Sequence, residues 1–283
     1  MISFKKNIDK LKCHDALRRH RSDVSTDGNI TALITGASSG MGLLYATYLA
    51  EAGCNLLIVS NQEKELEDVA TKLRNDFNVD VIARYQDLSQ DDAAQQLFDF
   101  CRNENIIVDI LINNAGMFFF HELDDEYHKK MELMLNLHVM TPSKMCRLFG
   151  EEMKKRKFGF IILVSSMAAR LPFPGITTYS ATKSYLKSFG KSLYYEMRDY
   201  GVGVTTVCPG AIATPLYKFN PKLLRLGVKI GIVGTPQWLV KKALKGMFKK
   251  KMIVAPGAMN VYLPPMLAIL PKPLVNFIWR KVK

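Results

Sequence analysis

Apolar runs that alternate with helical patterns constrain the fold of this chain more than any other feature. The runs are ITALIT (30–35), NLLIVS (55–60), VDVIARY (79–85), VDILINN (108–114), GFIILVSS (159–166) and GVTTVCP (203–209), with KMIVAPG (251–257) as a candidate seventh. Strands that are apolar throughout, with helical segments between them, are typical of a parallel sheet covered on both faces. Right-handed crossovers then predict an α/β fold, a doubly wound parallel sheet of about seven strands.

The length of the chain suits one α/β domain with extensions. It has 283 residues, of which 48% are hydrophobic and 23% charged, as in globular proteins with a sizeable core. The polar stretch SDVSTDGN (22–29) reads as a linker. We therefore predict a basic extension over residues 1–28 and a single domain over residues 29–283.

Cysteine usage and the N-terminal residues indicate a reducing, cytoplasmic location. The five cysteines are scattered, odd in number and show no CxxC spacing, so neither a disulfide framework nor a zinc site is indicated. Basic residues near the N-terminus appear without the apolar run of a secretory signal.

The net charge of +13 is concentrated toward the C-terminus. Residues 200–283 hold 14 Lys and Arg and no Asp or Glu, whereas the first 199 residues hold 25 bases and 26 acids. No nucleic-acid motif or aromatic stacking platform accompanies these cations, so we expect no nucleic-acid partner.

A glycine-rich turn follows the first predicted strand. TGASSGMG (35–42) opens a helix there, and Gly36, Gly40 and Gly42 would let the backbone approach a pyrophosphate whose charge the helix N-terminus stabilises. The spacing is GxxxGxG rather than GxGxxG, and a tight turn without a ligand is the alternative. Ligands of doubly wound sheets bind at this edge, so the turn favours a nucleotide site.

Tyr179 and Lys183 stand four residues apart in TYSATKSYLKSF (178–189). Residues at i and i+4 are neighbours on a helix. A free tyrosine has a pKa near 10, so a role in proton transfer at neutral pH requires a downward shift of roughly 3 units. A nearby ammonium would favour that shift.

Several motifs together resemble the short-chain dehydrogenase/reductase family. They are TGASSGMG (35–42), NNAG (113–116), Asn136, the serine pair 165–166, YSATK (179–183) and PGAIAT (209–214), and they cover about residues 29–260. The resemblance implies a Rossmann-type fold and an oxidoreductase that transfers a hydride between a nicotinamide cofactor and a ketone or secondary alcohol. Looser similarity of the C-terminal segment to 3-oxoacyl-CoA and 17β-hydroxysteroid reductases implies a hydrophobic substrate and a place in lipid metabolism.

The resemblance also implies roles for individual residues. Tyr179 would exchange a proton with the substrate oxygen, Ser166 would hold that oxygen, Lys183 would bind the ribose, and Asn136 would hold a water next to Lys183. Ser166 is preferred to Ser165 because it precedes Tyr179 by 13 residues. The cofactor would contact Gly36, Ser38, Ser39, Gly40, Met41, Gly42, Ser60, Asn61, Asp87, Leu88, Asn114, Ala115, Gly116, Tyr179, Lys183, Pro209, Gly210 and Thr214.

The end of the second strand favours NADP(H) over NAD(H). An acid there would bind the ribose 2′-hydroxyl and repel a 2′-phosphate, and positions 60 and 61 are Ser60 and Asn61. Two departures oppose this choice. The arginine that NADP-dependent relatives commonly have at position 61 is absent, and Ser39 replaces the basic residue often found before the second glycine of the turn.

The resemblance also implies that Asp87 contacts the adenine amino group, and a helix N-cap is its alternative role.

The C-terminal third carries the features that relate to substrate and surface. The resemblance implies a substrate lid over about residues 212–235, in which apolar residues and four cations would suit a hydrophobic substrate with an anionic head, the alternative being a solvated cationic face. Prolines in the basic, apolar segment 252–283 argue against a spanning helix. Its ending, PLVNFIWRKVK, suits peripheral contact with an anionic membrane.

Three further expectations concern metals, assembly and alternative functions. His121, His128 and His138 lie among acids without a metal-ligand spacing, so we predict an exposed helix start and no metal. Homo-oligomers are expected by analogy with the family. The alternatives to an enzyme are a catalytically silent dinucleotide-binding protein and a scaffold at the membrane surface.

Overall fold

A single parallel sheet organises the protein. The computed structural model describes residues 4–7, 9, 29–171, 173–210, 234–257, 260, 262 and 271–282. The strand order is β3-β2-β1-β4-β5-β6-β7, and every neighbouring pair is parallel. The strands are β1 (Thr31–Thr35), β2 (Asn55–Ser60), β3 (Val81–Tyr85), β4 (Ile110–Asn113), β5 (Gly159–Val164), β6 (Val202–Val207) and β7 (Ile253–Val254). The predicted doubly wound sheet is confirmed.

Helices connect successive strands, and one further helix follows β7. In the described part of the chain they are α1 (Gly40–Glu51), α2 (Glu63–Phe77), α3 (Ala93–Asn103), α4 (His128–Leu135), α5 (Thr141–Arg156), α6 (Thr177–Arg198), α7 (Pro236–Phe248) and α8 (Lys272–Val282). A π-helical turn, Asn136–Met140, joins α4 to α5 without a loop. Short 3₁₀ turns lie at Asp125–Tyr127 and Met167–Arg170.

The strands bury side chains on both faces of the sheet, which is why they are apolar throughout. In β1, Ala32 and Ile34 pack into one apolar cluster with α1, α2 and α7, whereas Leu33 packs into the other with α3, α5 and α6. Successive strand residues point to opposite faces, so two helical layers need a continuous apolar run rather than an alternating one.

Strand β7 is shorter than its sequence run. It pairs only with Thr206 and Val207 of β6 and lies at the sheet edge, where its two residues are half-buried. An edge strand packs on one neighbour only, so the apolar run from 251 to 257 overestimates its length.

Part of the N-terminal segment packs on the domain. The side chain of Phe4 is 8% exposed, and its ring lies 6.3 Å from that of Phe248 at the end of α7. Residues 10–28 lie outside the described part of the chain.

The sheet changes winding direction at β1. This strand pairs with β2 on one side and with β4 on the other, so the connections that follow β1 and β4 run away from each other. A crevice opens at the carboxyl ends of these two strands, which is where open α/β sheets bind their ligands.

Candidate active site

A cavity of about 550 Å³ occupies this crevice. Loops that follow β1, β2, β3, β4, β5 and β6 all contribute to its wall. The predicted residues that line it are Gly36, Ser38, Ser39, Gly40, Met41, Ser60, Asn61, Asp87, Leu88, Asn114, Ala115, Gly116, Ser166, Tyr179, Lys183, Pro209 and Gly210. Thr214 lies outside the described residues, as does most of the predicted lid.

The glycine turn brings the backbone of β1 against α1. Gly36 has a φ of +67°, and a Cβ on Gly42 would lie 2.0 Å from the Gly36 carbonyl oxygen. Only a residue without a side chain fits at position 42, because real contacts of this kind do not fall below about 3 Å. The N-terminus of α1 also lines the cavity, through Ser39, Gly40 and Met41, and the backbone N–H groups of a helix N-terminus can bind an anion such as a diphosphate.

The NNAG segment fastens the opposite side of this turn. The hydroxyl of Thr35 accepts hydrogen bonds from the backbone N–H groups of Asn114, at 2.9 Å, and Ala115, at 3.0 Å. The Asn114 amide donates to the Thr35 carbonyl at 2.9 Å. These bonds hold the carboxyl ends of β1 and β4 together and so fix the floor of the crevice.

A network of uncharged polar groups lies at the carboxyl end of β2. The hydroxyls of Ser38 and Ser60 are 2.9 Å apart, and Ser38 donates to the Gln62 side-chain oxygen at 2.7 Å. The Gln62 backbone N–H donates to the Ser60 hydroxyl at 3.2 Å. No acidic side chain takes part in this network, so it carries no charge that would repel an anion.

Asp87 lines the cavity after β3. Its carboxylate accepts hydrogen bonds from the Ser89 backbone, at 2.9 Å, from the Ser89 hydroxyl, at 2.7 Å, and from the Gln90 amide, at 3.1 Å. Burial works to raise the pKa of this carboxyl, but the three hydrogen bonds outweigh it and lower the pKa. Asp87 is therefore charged at neutral pH and caps the chain that leads into α3.

Tyr179 and Lys183 lie side by side in the first turns of α6. Both are buried, at 4% and 5% exposure, and the Lys183 Nζ is 5.6 Å from the centre of the Tyr179 ring. Lys183 donates a hydrogen bond to the Val164 carbonyl at 3.1 Å, and burial lowers its pKa to about 8. The i, i+4 spacing thus places an ammonium beside a phenol at the cavity wall.

The two serines after β5 have different contacts. Ser165 donates its hydroxyl to the Lys183 backbone carbonyl at 2.6 Å, which ties β5 to α6. The Ser166 oxygen accepts from the Ala168 backbone N–H at 3.1 Å, so its own proton is available to a group in the cavity. This difference supports Ser166, rather than Ser165, as the residue that meets a substrate oxygen.

The π-helical turn carries Asn136 and His138 in different directions. The Asn136 amide donates to the Asp91 carboxylate at 2.9 Å, at an exposed position, and Asn136 is not among the residues that line the cavity. His138 is 1% exposed and lies edge-on to Tyr179, with ring centres 5.8 Å apart. The predicted exposed helix start was therefore wrong for His138, which lies in the interior of the site.

Sequence reasoning missed several residues of the cavity wall. Gln62 and Ser89 follow predicted residues by one or two positions, so the strand-end pattern already pointed to them. Leu133 and Leu137 are four residues apart in the sequence. Apolar residues at this spacing are equally typical of ordinary core packing, so the spacing did not mark them as site residues. Met117 directly extends the NNAG segment.

Helix α8 lies against the loops next to the cavity. The Trp279 ring is 5.9 Å from that of Phe120, and Trp279 lines a second cavity of about 410 Å³ together with Pro174 and Gly175. Within the described residues, no helix has the length and hydropathy needed to cross a membrane. In that same part of the chain, no cluster of three metal-ligating side chains occurs.

Comparison with known proteins finds dehydrogenases and reductases as relatives of this chain. The sequence model of the short chain dehydrogenase family matches residues 30–222. Very-long-chain 3-oxoacyl-CoA reductase from Rattus norvegicus is 30% identical over 200 residues, 68% of this chain and 62% of the relative. For 17-beta-hydroxysteroid dehydrogenase type 3 from Mus musculus the identity is 29% over 217 residues, 76% of this chain and 68% of the relative.

Solved structures agree with the sequence relatives. A short-chain dehydrogenase from Sphingobium yanoikuyae in complex with NADPH has a TM-score of 0.72 and 26% identity, and the match covers 86% of this chain and 97% of that one. The matched part of this chain spans less than two thirds of the length of the rat reductase.

Proposed function

The chain belongs to the short-chain dehydrogenase/reductase family, and from that premise we propose that it is an oxidoreductase that interconverts a ketone and a secondary alcohol. The observation that carries the proposal is the buried pair of Tyr179 and Lys183 at the wall of the crevice cavity. A buried phenol beside a buried ammonium suits proton transfer to an oxygen atom.

The residues of the cavity fit a nicotinamide dinucleotide. The backbone at Gly42 packs so closely on Gly36 that no side chain fits there, which makes the turn tight. The α1 N-terminus offers backbone N–H groups to a diphosphate. Lys183 suits the ribose hydroxyls next to the nicotinamide, and Pro209 and Gly210 suit the nicotinamide end. A bound nicotinamide supplies or accepts the hydride.

Side chains of the protein bind the substrate oxygen and exchange a proton with it. Ser166 donates its free hydroxyl proton to that oxygen and orients it toward Tyr179. Tyr179 donates its proton to the oxygen during reduction and takes one back during oxidation. The positive charge of Lys183 stabilises the phenolate that is left after the donation.

NADP(H) is the proposed cofactor. The Ser38, Ser60 and Gln62 network offers hydroxyl and amide groups where the adenosine ribose would lie, and it has no carboxylate to repel a 2′-phosphate. The related structure from Sphingobium yanoikuyae contains NADPH.

A hydrophobic ketone is the proposed substrate class. The relatives named above act, by their names, on 3-oxoacyl-CoA and on hydroxysteroids. Leu133, Leu137 and Met117 add apolar side chains to the lining of the cavity. The four cations of the lid segment would suit an anionic group at the far end of such a substrate.

Turnover by Tyr179→Phe tests the proposed reaction. With NADPH and a panel of 3-oxoacyl-CoA and 17-ketosteroid substrates, we expect kcat to fall about 10²- to 10⁴-fold in the variant, since it removes the acid but keeps the ring. NADPH binding, measured by fluorescence quenching, should change little. Equal rates for the two proteins on every substrate that reacts would instead favour a catalytically silent dinucleotide-binding protein.

Peripheral contact with an anionic membrane is a proposal about partners. Helix α8 exposes Leu274 and Phe277 and carries Lys272, Arg280 and Lys281. A short helix with apolar side chains and only basic charges suits the surface of an anionic bilayer. Sedimentation with lipid vesicles measures this binding.

A further inference from the structure

A buried histidine lies inside the site without a part in the reaction described above. His138 belongs to the π-helical turn between α4 and α5 and is 1% exposed. Its ring is edge-on to Tyr179, with an angle of 72° between the ring planes. A polar ring that is buried this deeply is held by specific partners or destabilises the fold.

Both ring nitrogens have partners, and these partners define one protonation state. Thr182 donates its hydroxyl proton to the Tyr179 carbonyl at 2.8 Å, so its oxygen accepts from His138 Nδ1 at 3.1 Å. The Met117 backbone N–H donates to His138 Nε2 at 2.9 Å. Only the neutral ring with its proton on Nδ1 satisfies both bonds, because an imidazolium would direct a second N–H at that of Met117.

The same ring lies next to the lysine of the site. A Cβ on Gly116 would be 3.0 Å from His138 Nε2 and 3.7 Å from Lys183 Nζ, so both groups lie against this glycine. Tyr179 and Lys183 are the titratable groups of α6 that face the ring. Burial and the Lys183 charge lower the pKa of His138 well below 6.5, in agreement with the neutral state.

His138 therefore joins three parts of the site. Through Met117 it holds the loop after β4, which lines the cavity, and through Thr182 it holds the backbone of Tyr179. Asn136, two positions earlier, bonds to Asp91 at the surface. The residue of this turn that contacts the reactive tyrosine is thus the histidine.

We propose that His138 is a positioning residue, a neutral imidazole that holds Tyr179 and the Met117 loop in register beside the Lys183 cation, in the place that the sequence pattern assigns to Asn136. A neutral group is required there, since a second cation would repel Lys183 and could not accept the Met117 hydrogen bond. The proposal rests on the proposed oxidoreductase function for its kinetic consequences, but the state of the ring is independent of turnover.

Substitutions of His138 and of its partner Thr182 test the role. His138→Phe keeps the ring but removes both hydrogen bonds, and we expect kcat to fall about 10- to 100-fold, while the Kd for NADPH changes less than about threefold. His138→Gln retains an acceptor near Nε2 and His138→Asn a donor near Nδ1, so each should recover part of the loss. Thr182→Val should reproduce part of it, and it should cost less in the His138→Phe background than in the wild type, because only its bond to the Tyr179 carbonyl is then left to lose.

The kcat of Asn136→Ala, compared with that of His138→Phe, shows which residue of the π-helical turn supports the reaction. A larger loss in Asn136→Ala than in His138→Phe overturns the proposal, as does full activity of His138→Phe. Failure of His138→Phe to fold leaves the Gln, Asn and Thr182→Val variants to decide. Wild-type turnover no greater than that of Tyr179→Phe counts against the oxidoreductase function instead.

The protonation state is measured without substrate or cofactor. In protein labelled with ¹⁵N-histidine, two-bond ¹H–¹⁵N spectra distinguish the two neutral tautomers from the imidazolium, and His138→Gln identifies the His138 signals. We expect the neutral Nδ1–H form at pH 7 and at pH 5.5. An imidazolium or an Nε2–H tautomer at pH 7 overturns the proposal.

Discussion

A single substitution at Ser60 should change the preference between NADPH and NADH. Its hydroxyl is bonded to Ser38 and Gln62 at the carboxyl end of β2. A carboxylate at this position would repel a 2′-phosphate and bind a 2′-hydroxyl, so we expect Ser60→Asp to lower the ratio of kcat/KM for NADPH to that for NADH by at least about 10-fold. Ser60→Asn, of similar size but neutral, is the control and should keep the preference. An unchanged ratio in Ser60→Asp contradicts the proposed NADP(H) preference.

Lys183 shows a conflict between activity and stability. Burial lowers its pKa from 10.5 to about 8, so below pH 8 the folded protein holds a buried charge that the unfolded chain keeps in water. Between pH 8 and 10.5 the unfolded chain binds more protons than the folded one, and this destabilisation is relieved as pH rises.

Replacing Lys183 should therefore stabilise the cofactor-free protein. We expect Lys183→Met to raise the free energy of unfolding at pH 7 by roughly 1 to 3 kcal/mol, less what the lost bond to Val164 offsets, while turnover is lost. Urea unfolding at pH 7 and pH 9.5 measures the effect, and the gain should shrink at the higher pH. A variant that is less stable than the wild type at pH 7 would show that the ammonium stabilises the fold.

Local spacing predicts some site residues and not others. Tyr179 and Lys183 lie within one α-helix, where an i, i+4 pair has a fixed geometry, and the structure places them as expected. Asn136 and His138 lie in a π-helical turn, whose wider i→i+5 spacing rotates each residue relative to an α-helix. The sequence shows no sign of that turn, so the direction of these two side chains required the structure.

At the scale of elements, the strands and their parallel, doubly wound arrangement follow directly from the sequence. Continuous Ile, Leu and Val in β2 and β5 leave no polar face, and burial on both sides is the only arrangement that satisfies them. The distance at which a helix packs on the sheet is harder to predict from the sequence, because it depends on single small residues. Gly190 of α6 is such a residue.

Contact between α6 and β6 depends on Gly190. A Cβ at this position would lie 2.1 Å from the Thr206 hydroxyl and 2.9 Å from a Leu163 methyl. We expect Gly190→Ala to destabilise the protein by about 1 to 3 kcal/mol and to push away the helix that carries Tyr179. Thr206→Ala removes the clashing hydroxyl, so the double variant should be more stable than Gly190→Ala alone. Chemical unfolding of the four proteins measures the coupling, and simple additivity would mean that the helix does not press on Thr206.

At the scale of the whole molecule, the separation of charge is the feature with a consequence for partners. The chain is close to neutral up to residue 199 and carries 14 bases and no acid beyond it. Part of that basic third is α8, whose Trp279 packs on Phe120 while Phe277 is 55% exposed. One side of the helix is thus anchored on the domain, and an aromatic side chain and basic groups are left to solvent.

We expect this helix to bind anionic bilayers. Each cation near such a surface contributes roughly 1 kcal/mol, so the protein should sediment with vesicles that contain phosphatidylserine and little with neutral phosphatidylcholine vesicles, and added salt should weaken the binding. Phe277→Asp should reduce it, whereas Tyr85→Asp, at a residue of β3 that is 57% exposed, is the control for loss of an exposed aromatic side chain. Equal binding to both kinds of vesicle, or binding to neither, would show that the basic helix serves some other contact, because charge attraction requires a difference between them.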